Sequence, residues 1–307
     1  MLGPDPGSWP PTPSQPPPSR GRRRSAVAAR NVEYAQLTYS PRQPSIISRT
    51  PWWLLAIALL FVVGLWAITA DAGYSQIFRA LAGGVVTTLW VAFFAFVAAI
   101  VLGLLVALAR TSQSRVLREI ATFYVEIIRG IPVLVFLFYV AFVGAPWFVS
   151  AINVLLNPLV QLGWLEVMTI RDFDFVWRAI LALTVCYSAF IAEIFRAGIE
   201  AVDRGQVEAA RALGLSRWNT FRFVVAPQAL RTILPPLAND FVSMIKDSAL
   251  VSALGVQDIT QLGKVYSSGT FKFFETYNVV AFLYLTMTIS LSLLVRLLER
   301  HLRGRQR

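Results

Sequence analysis

The chain has 307 residues, 56% of them hydrophobic and only 15% charged, against about 25% charged in an ordinary soluble domain. One cysteine, Cys186, and one histidine, His301, exclude an intramolecular disulfide and a Cys/His metal cluster. No G-x-x-x-x-G-K-[ST] loop occurs, which excludes ATP binding of the usual P-loop kind.

Residues 1–48 are rich in Pro, Ser and Arg and include Pro16-Pro17-Pro18 and Arg22-Arg23-Arg24. Such a composition cannot bury enough apolar surface to fold, so a disordered tail is expected, with its basic cluster near anionic lipid. Residues 51–70 are then uncharged, as are 80–109 and 276–295. Each run reaches the roughly 20 residues that cross a bilayer core as a helix. Ala70-Asp71-Ala72 has the look of a signal-peptidase site. About fifty residues precede this first run, and it exceeds a typical signal-peptide core, so it is expected to be retained as a transmembrane helix. A further span is expected at 175–195. Two less apolar ones are expected at 120–143, which carries Glu126 and Arg129, and at 235–256, which carries Asp240, Lys246 and Asp247.

Within 80–109, Ala95, Ala99, Gly103 and Ala107 recur every four residues, a small-residue stripe of the kind that lets membrane helices approach closely. Glu126 and Arg129 are spaced to pair within one helical turn, beside a Gly130-Ile131-Pro132 break. Residues 144–174, with Trp147 and Trp164, read as an external interfacial element and loop. Six spans with an internal N-terminus put 23 of the 28 Lys and Arg residues inside and 5 outside. That bias predicts that both termini are cytoplasmic. It also accounts for the net charge of +11 without nucleic acid as a partner.

Residues 203–227 form a polar, Arg-dotted stretch between apolar spans. Asp203 is a good helix N-cap, residues 206–213 have helical composition, and Gly214 suits the left-handed residue after a helix. Ser216 is a second N-cap, ahead of Trp218, Phe221 and Val224 at helical spacing. The pattern predicts helix, glycine turn, helix, too short to cross a membrane and therefore resting on protein or on the bilayer surface.

Glu208-Ala209-Ala210, then Gly214 and Pro227, resembles the EAA loop of ABC importer permeases. The flanking residues extend the likeness. Tyr124-Val125-Glu126-Ile127-Ile128-Arg129-Gly130-Ile131-Pro132 lies upstream, followed by Ala192-Glu193-Ile194-Phe195-Arg196-Ala197-Gly198 and Arg204-Gly205-Gln206. Pro227-Gln228-Ala229-Leu230-Arg231, Asn239 and Lys246-Asp247-Ser248 come after. Over roughly residues 80–303 this set is similar to the polar amino-acid branch of that family, the histidine and glutamine permeases.

The resemblance implies an all-α polytopic protein of the type I ABC importer permease fold, multi-pass in a bacterial inner membrane. Residues 1–48 would be a tail, 51–70 an added first helix and 80–303 the permease domain. It also implies a coupling loop that docks into the ATPase, centred on Arg204, Gly205, Gln206, Glu208, Ala209, Ala210, Leu213 and Gly214. ATP and magnesium would be bound by separate ATPase subunits, with no cofactor in this chain. A second permease subunit, identical or related, would complete the pathway, and an external binding protein would deliver an amino acid.

Charged residues at membrane depth usually face a cavity or a partner. Asn239, Asp240, Ser243, Lys246 and Asp247 are accordingly candidates to line the path, although Lys246 and Asp247 could equally pair within the bundle. Glu208 has a second reading as well, as a carboxylate favoured by the helix dipole. Two alternatives differ in class. A proton-coupled carrier would need a relay across the membrane, but Glu126, Glu193, Asp240 and Asp247 all lie in the cytoplasmic halves of their spans and His301 is in the tail. A non-transporting scaffold would suit the Pro-rich tail but leaves residues 203–248 unexplained.

Overall fold

The computed structural model describes residues 52–304; the expected tail at 1–48 lies outside them. Chain contacts separate Met1–Ile57 from Ala58–Arg307, and the second unit holds nearly all the described elements. All regular secondary structure among the described residues is helical. The elements run α1 (Trp52–Ala70), α2 (Ala72–Arg110), α3 (Arg115–Gly130), α4 (Val133–Tyr139), α5 (Ala145–Gln161), α6 (Phe175–Glu200), α7 (Arg204–Ala212), α8 (Arg217–Thr220), α9 (Ala226–Asp247), α10 (Ile259–Thr270) and α11 (Phe273–Gly304).

Among the described residues, four stretches are long and apolar enough to cross a membrane: α2, the run Val133–Gln161, α6 and Phe273–Leu297. Leu54–Ala70 within α1 is apolar but shorter. α6 is the most enclosed, with 61% of its apolar window inside the protein against 22% for α11. The reason lies in α2. Ala95, Ala99, Gly103 and Ala107 are all buried, and the stripe they form seats α2 on α6. Thr184 Oγ1 donates to the Ala95 carbonyl at 3.3 Å. A Cβ on Gly103 would stand 2.8 Å from Ile191 Cγ2, so the approach leaves no room for a side chain. α3 and α9 close the core around this pair through Val125, Ile128, Leu237 and Ile245. A second cluster joins Ile77 and Leu81 of α2 to Ile259, Val279 and Leu283.

The two charged spans depart from straight helices. At 120–143 the chain breaks after Gly130. Ile131 is extended (φ −100°, ψ 134°), as steric conflict with the following Pro132 requires. The apolar run restarts at Val133 and passes through a π-helical turn, Val140–Gly144, into α5. It does not end at 143, and the first half of the expected external segment is therefore helix. Beyond it, Asn153 bonds both the N–H and the carbonyl of Met168, at 2.9 and 2.7 Å. At 235–256, α9 stops at Asp247 and a tight 3₁₀ segment, Ser248–Leu254, follows, ended by left-handed Gly255. Pro235 and Pro236 lie inside α9 and free the carbonyls of Arg231 and Thr232 from their helical bonds.

Candidate coupling loop and the polar core beside it

α7 is stopped at both ends by local chemistry. Asp203 Oδ1 accepts the Gly205 N–H at 2.6 Å. At the other end Gly214 has φ +83°. Its N–H donates to the Arg211 carbonyl at 2.9 Å, and the Leu215 N–H reaches the Ala210 carbonyl at 3.2 Å. This pair of bonds is the Schellman arrangement, which satisfies carbonyls at a helix end. Ser216 Oγ then caps α8 by accepting the Asn219 N–H at 3.2 Å. The expected helix, glycine turn and helix are all present.

Only Ala210 of α7 is buried. Arg204, Gly205, Gln206, Glu208, Ala209 and Gly214 are exposed, and Leu213 is 84% exposed. Asp203 performs the capping, and Glu208 stands exposed in the second turn, so capping is not its role. Gln206 Oε1 accepts from Gln228 Nε2 at 2.7 Å, and the same amide nitrogen bonds the Val224 carbonyl at 2.9 Å. This ties α7 to the start of α9. The loop thus shows a small, smooth face, with Ala209 and Leu213 outward, held against the bundle from behind.

The polar residues of α9 fall into different environments. Asp247 Oδ2 accepts from the Tyr187 hydroxyl at 2.8 Å. Asp240 Oδ2 is buried with no hydrogen-bond partner among the described residues. Ser243 is half-buried and Asn239 exposed, with Asn239 Nδ2 donating to the Pro235 carbonyl at 3.1 Å. Lys246 does not pair with Asp247. It is exposed on another side of the helix, beside Tyr284 and Thr288 of α11 in a groove of about 380 Å³. Nor do Glu126 and Arg129 pair: the Arg129 guanidinium lies over the Phe190 ring, 5.7 Å from its centroid.

Two polar arrangements did not follow from the sequence. The Tyr124 hydroxyl bonds the Val185 carbonyl at 3.0 Å and Ser188 Oγ at 2.6 Å, and Tyr187 lies on the adjoining turn. At the ends of α2 and α6, Arg110 Nη1 pairs with Glu193 Oε2 at 2.5 Å, Arg196 pairs with both Glu193 oxygens, and Arg196 Nη1 pairs with Glu200 Oε2 at 2.6 Å. Glu193 and Arg196 stand in a recognisable motif. Arg110 is 83 residues from Glu193, and only the packing of α2 on α6 brings it there.

Known proteins place this architecture. The model of the binding-protein-dependent transport system inner membrane component family matches residues 99–304. The chain belongs to that family. It is therefore a permease, a transport subunit rather than an enzyme, in a system whose ATPase is a separate subunit. Among similar permeases, the glutamine transport system permease protein of Escherichia coli strain K12 is 34% identical over 220 residues, 72% of this chain and 91% of that one. A probable amino-acid permease protein of Bacillus subtilis strain 168 is 35% identical over 69% of this chain and 87% of its own. The crystal structure of an amino acid ABC transporter with histidines shares 36% identity, covering 76% of this permease and 98% of that chain with a TM-score of 0.61. An inward-facing methionine ABC transporter, at 21% identity and a TM-score of 0.54, shares the fold.

Proposed function

We propose that this permease forms the membrane pathway of an ATP-driven, binding-protein-dependent importer of polar amino acids in a bacterial inner membrane. The observation that carries the substrate class is the 34–36% identity, over most of their length, to permeases and a transporter named for glutamine and amino acids. The proton-coupled carrier is not favoured, because Glu193, one of the carboxylates it would need, is held by two guanidinium groups.

In this reading the chain crosses the membrane six times, through α1, α2, Val133–Gln161, α6, α9 with its 3₁₀ extension, and α11, with both termini cytoplasmic. The permease domain is 80–303. α7 is the coupling helix: its exposed face, Arg204, Gly205, Glu208, Ala209, Leu213 and Gly214, enters a cleft of the ATPase, where ATP and magnesium are bound. Gln206 passes the displacement to α9 through Gln228. An exposed lysine at membrane depth costs about 2.5–3.5 kcal/mol on insertion scales. The Lys246 face of α9 is accordingly assigned to the second permease subunit. An external binding protein delivers the amino acid to the opposite end.

Asp240 gives the path a chemical preference. Its buried carboxylate oxygen lacks a donor, which is costly unless a donor arrives. The ammonium group of an amino acid supplies one, with Tyr187–Asp247, Asn239 and Ser243 nearby on the same route. The test is reconstitution with an amino-acid-type ATPase subunit and its binding protein, presenting each amino acid in turn. Uptake that follows one loaded ligand, with Asp240→Asn lowering uptake while ATP hydrolysis continues, is the expected result. Absence of a complex with any such ATPase would sink the reading.

A further inference from the structure

The described ion pairs joining Arg110, Glu193, Arg196 and Glu200 have a placement that helix stability alone does not explain. Arg110 is the last residue of α2, and its side chain is 13% exposed. Glu193 uses both oxygens, one shared between Arg110 and Arg196 and the other held by Arg196 alone. Arg196 then reaches Glu200, the last residue of α6. Only three residues separate it from the start of α7 at Arg204. Val202 in that short connection is buried and Asp203 caps α7, so little slack separates the network from the coupling helix. On the same stretch of α6, Gly198 has Ile233 of α9 against it: a Cβ there would meet Ile233 Cγ1 at 2.2 Å.

Besides the packing of Val207 and Ala210, two polar routes lead from the α7 region into the bundle. The amide bond between Gln206 and Gln228 leads to α9. The carboxylate–guanidinium network leads to α2, which already lies on α6 without clearance at Gly103. We infer that Arg110, Glu193, Arg196 and Glu200 are positioning residues that carry displacement of the coupling helix into the α2–α6 pair, so that the inner end of α2 moves with α7. A guanidinium–carboxylate chain suits this task. Its hydrogen bonds are directional and charge-assisted, and with Arg110 largely enclosed they hold one geometry rather than many.

The inference rests on α7 being the ATPase-docking helix. Three variants separate the two ideas in the assembled complex with its ATPase and binding protein in proteoliposomes. ATP hydrolysis is measured alongside uptake of radiolabelled glutamine or histidine, whichever the wild type accumulates. Arg110→Gln removes the α2 attachment while leaving Arg196 on Glu193 and Glu200. It is expected to co-purify with the ATPase and hydrolyse ATP, with uptake per ATP reduced about tenfold or more, within the range of measured couplings between sites. Arg110→Lys keeps the charge and is expected to restore the ratio. Gly214→Asp changes the docking loop and leaves the four network residues in place.

A wild-type ratio in Arg110→Gln, or Arg110→Lys as impaired as Arg110→Gln, overturns the inference. Loss of the folded complex in Arg110→Gln overturns it equally, by making the network a stability element only. If Gly214→Asp also transports normally, the docking reading itself has failed. If it uncouples while Arg110→Gln does not, only the network's role has.

Discussion

Gly214 and Leu213 show how one residue's backbone state serves the surface beside it. With φ at +83° and nothing within 4 Å of where a Cβ would stand, Gly214 is required by conformation and not by space. A non-glycine residue there costs about 1–2 kcal/mol of local backbone energy, paid in a nine-residue helix at the surface and not in the core. Gly214→Asp is therefore expected to leave the permease in the membrane at wild-type level. It places a carboxylate beside the exposed Leu213 and Ala209 and separates ATP hydrolysis from uptake. Immunoblotting of membranes together with an uptake assay reads both halves of the prediction, and normal transport at normal expression would refute it. The cap at Asp203, the left-handed glycine and the second cap at Ser216 were all legible in the sequence because each acts within four residues of itself. The partners of Arg129, Lys246 and Asp247 were not. Nearby opposite charges suggested Glu126 with Arg129 and Lys246 with Asp247, but each side chain took the group that tertiary packing put in reach, a phenyl ring for Arg129 and a tyrosine hydroxyl for Asp247.

At the scale of elements, the small-residue stripe on α2 makes a quantitative statement about its seat on α6. In lipid there is little hydrophobic gain in bringing two apolar helices together, so close van der Waals contact and hydrogen bonds do the work. Gly103→Val inserts a branched side chain where the first added carbon already stands 2.8 Å from Ile191 Cγ2. Overpacking of this kind costs about 1–3 kcal/mol. A lower thermal midpoint in detergent is expected for Gly103→Val and not for Gly83→Val, since nothing lies within 4 Å of a Cβ at Gly83. Equal midpoints would mean that α2 and α6 pack with slack around Gly103. The periodicity of the stripe was readable in advance. Its partner helix was not, because no residue on α2 names the surface it meets. Span limits failed for a related reason. Hydropathy continues smoothly through Val143, so nothing in composition marks an end there, whereas Pro132 halts the helix by removing a donor and constraining Ile131.

For the whole molecule, charge and packing make separate claims about orientation. The positive-inside count predicts that α7 is cytoplasmic and the connection between α5 and α6 external. The fold then supplies exposed positions on each side at which that assignment can be probed. Cys186, the only cysteine, is buried, and Cys186→Ser gives a background free of thiols. Leu213 is 84% exposed, Trp164 76% and Phe274 75%, so a cysteine at any of the three meets solvent or the interface without entering the core. With an impermeant maleimide on intact cells, Trp164→Cys and Phe274→Cys are expected to label and Leu213→Cys to remain silent until the membrane is opened. Labelling of Leu213→Cys from outside would invert the protein and remove α7 from the reach of any cytoplasmic ATPase. A split result, with Trp164→Cys outside and Phe274→Cys inside, would instead remove one crossing between them. The element at fault would then be α9 with its 3₁₀ extension, the least apolar of the six proposed crossings and the one that would carry Asp240, Lys246 and Asp247 into the membrane.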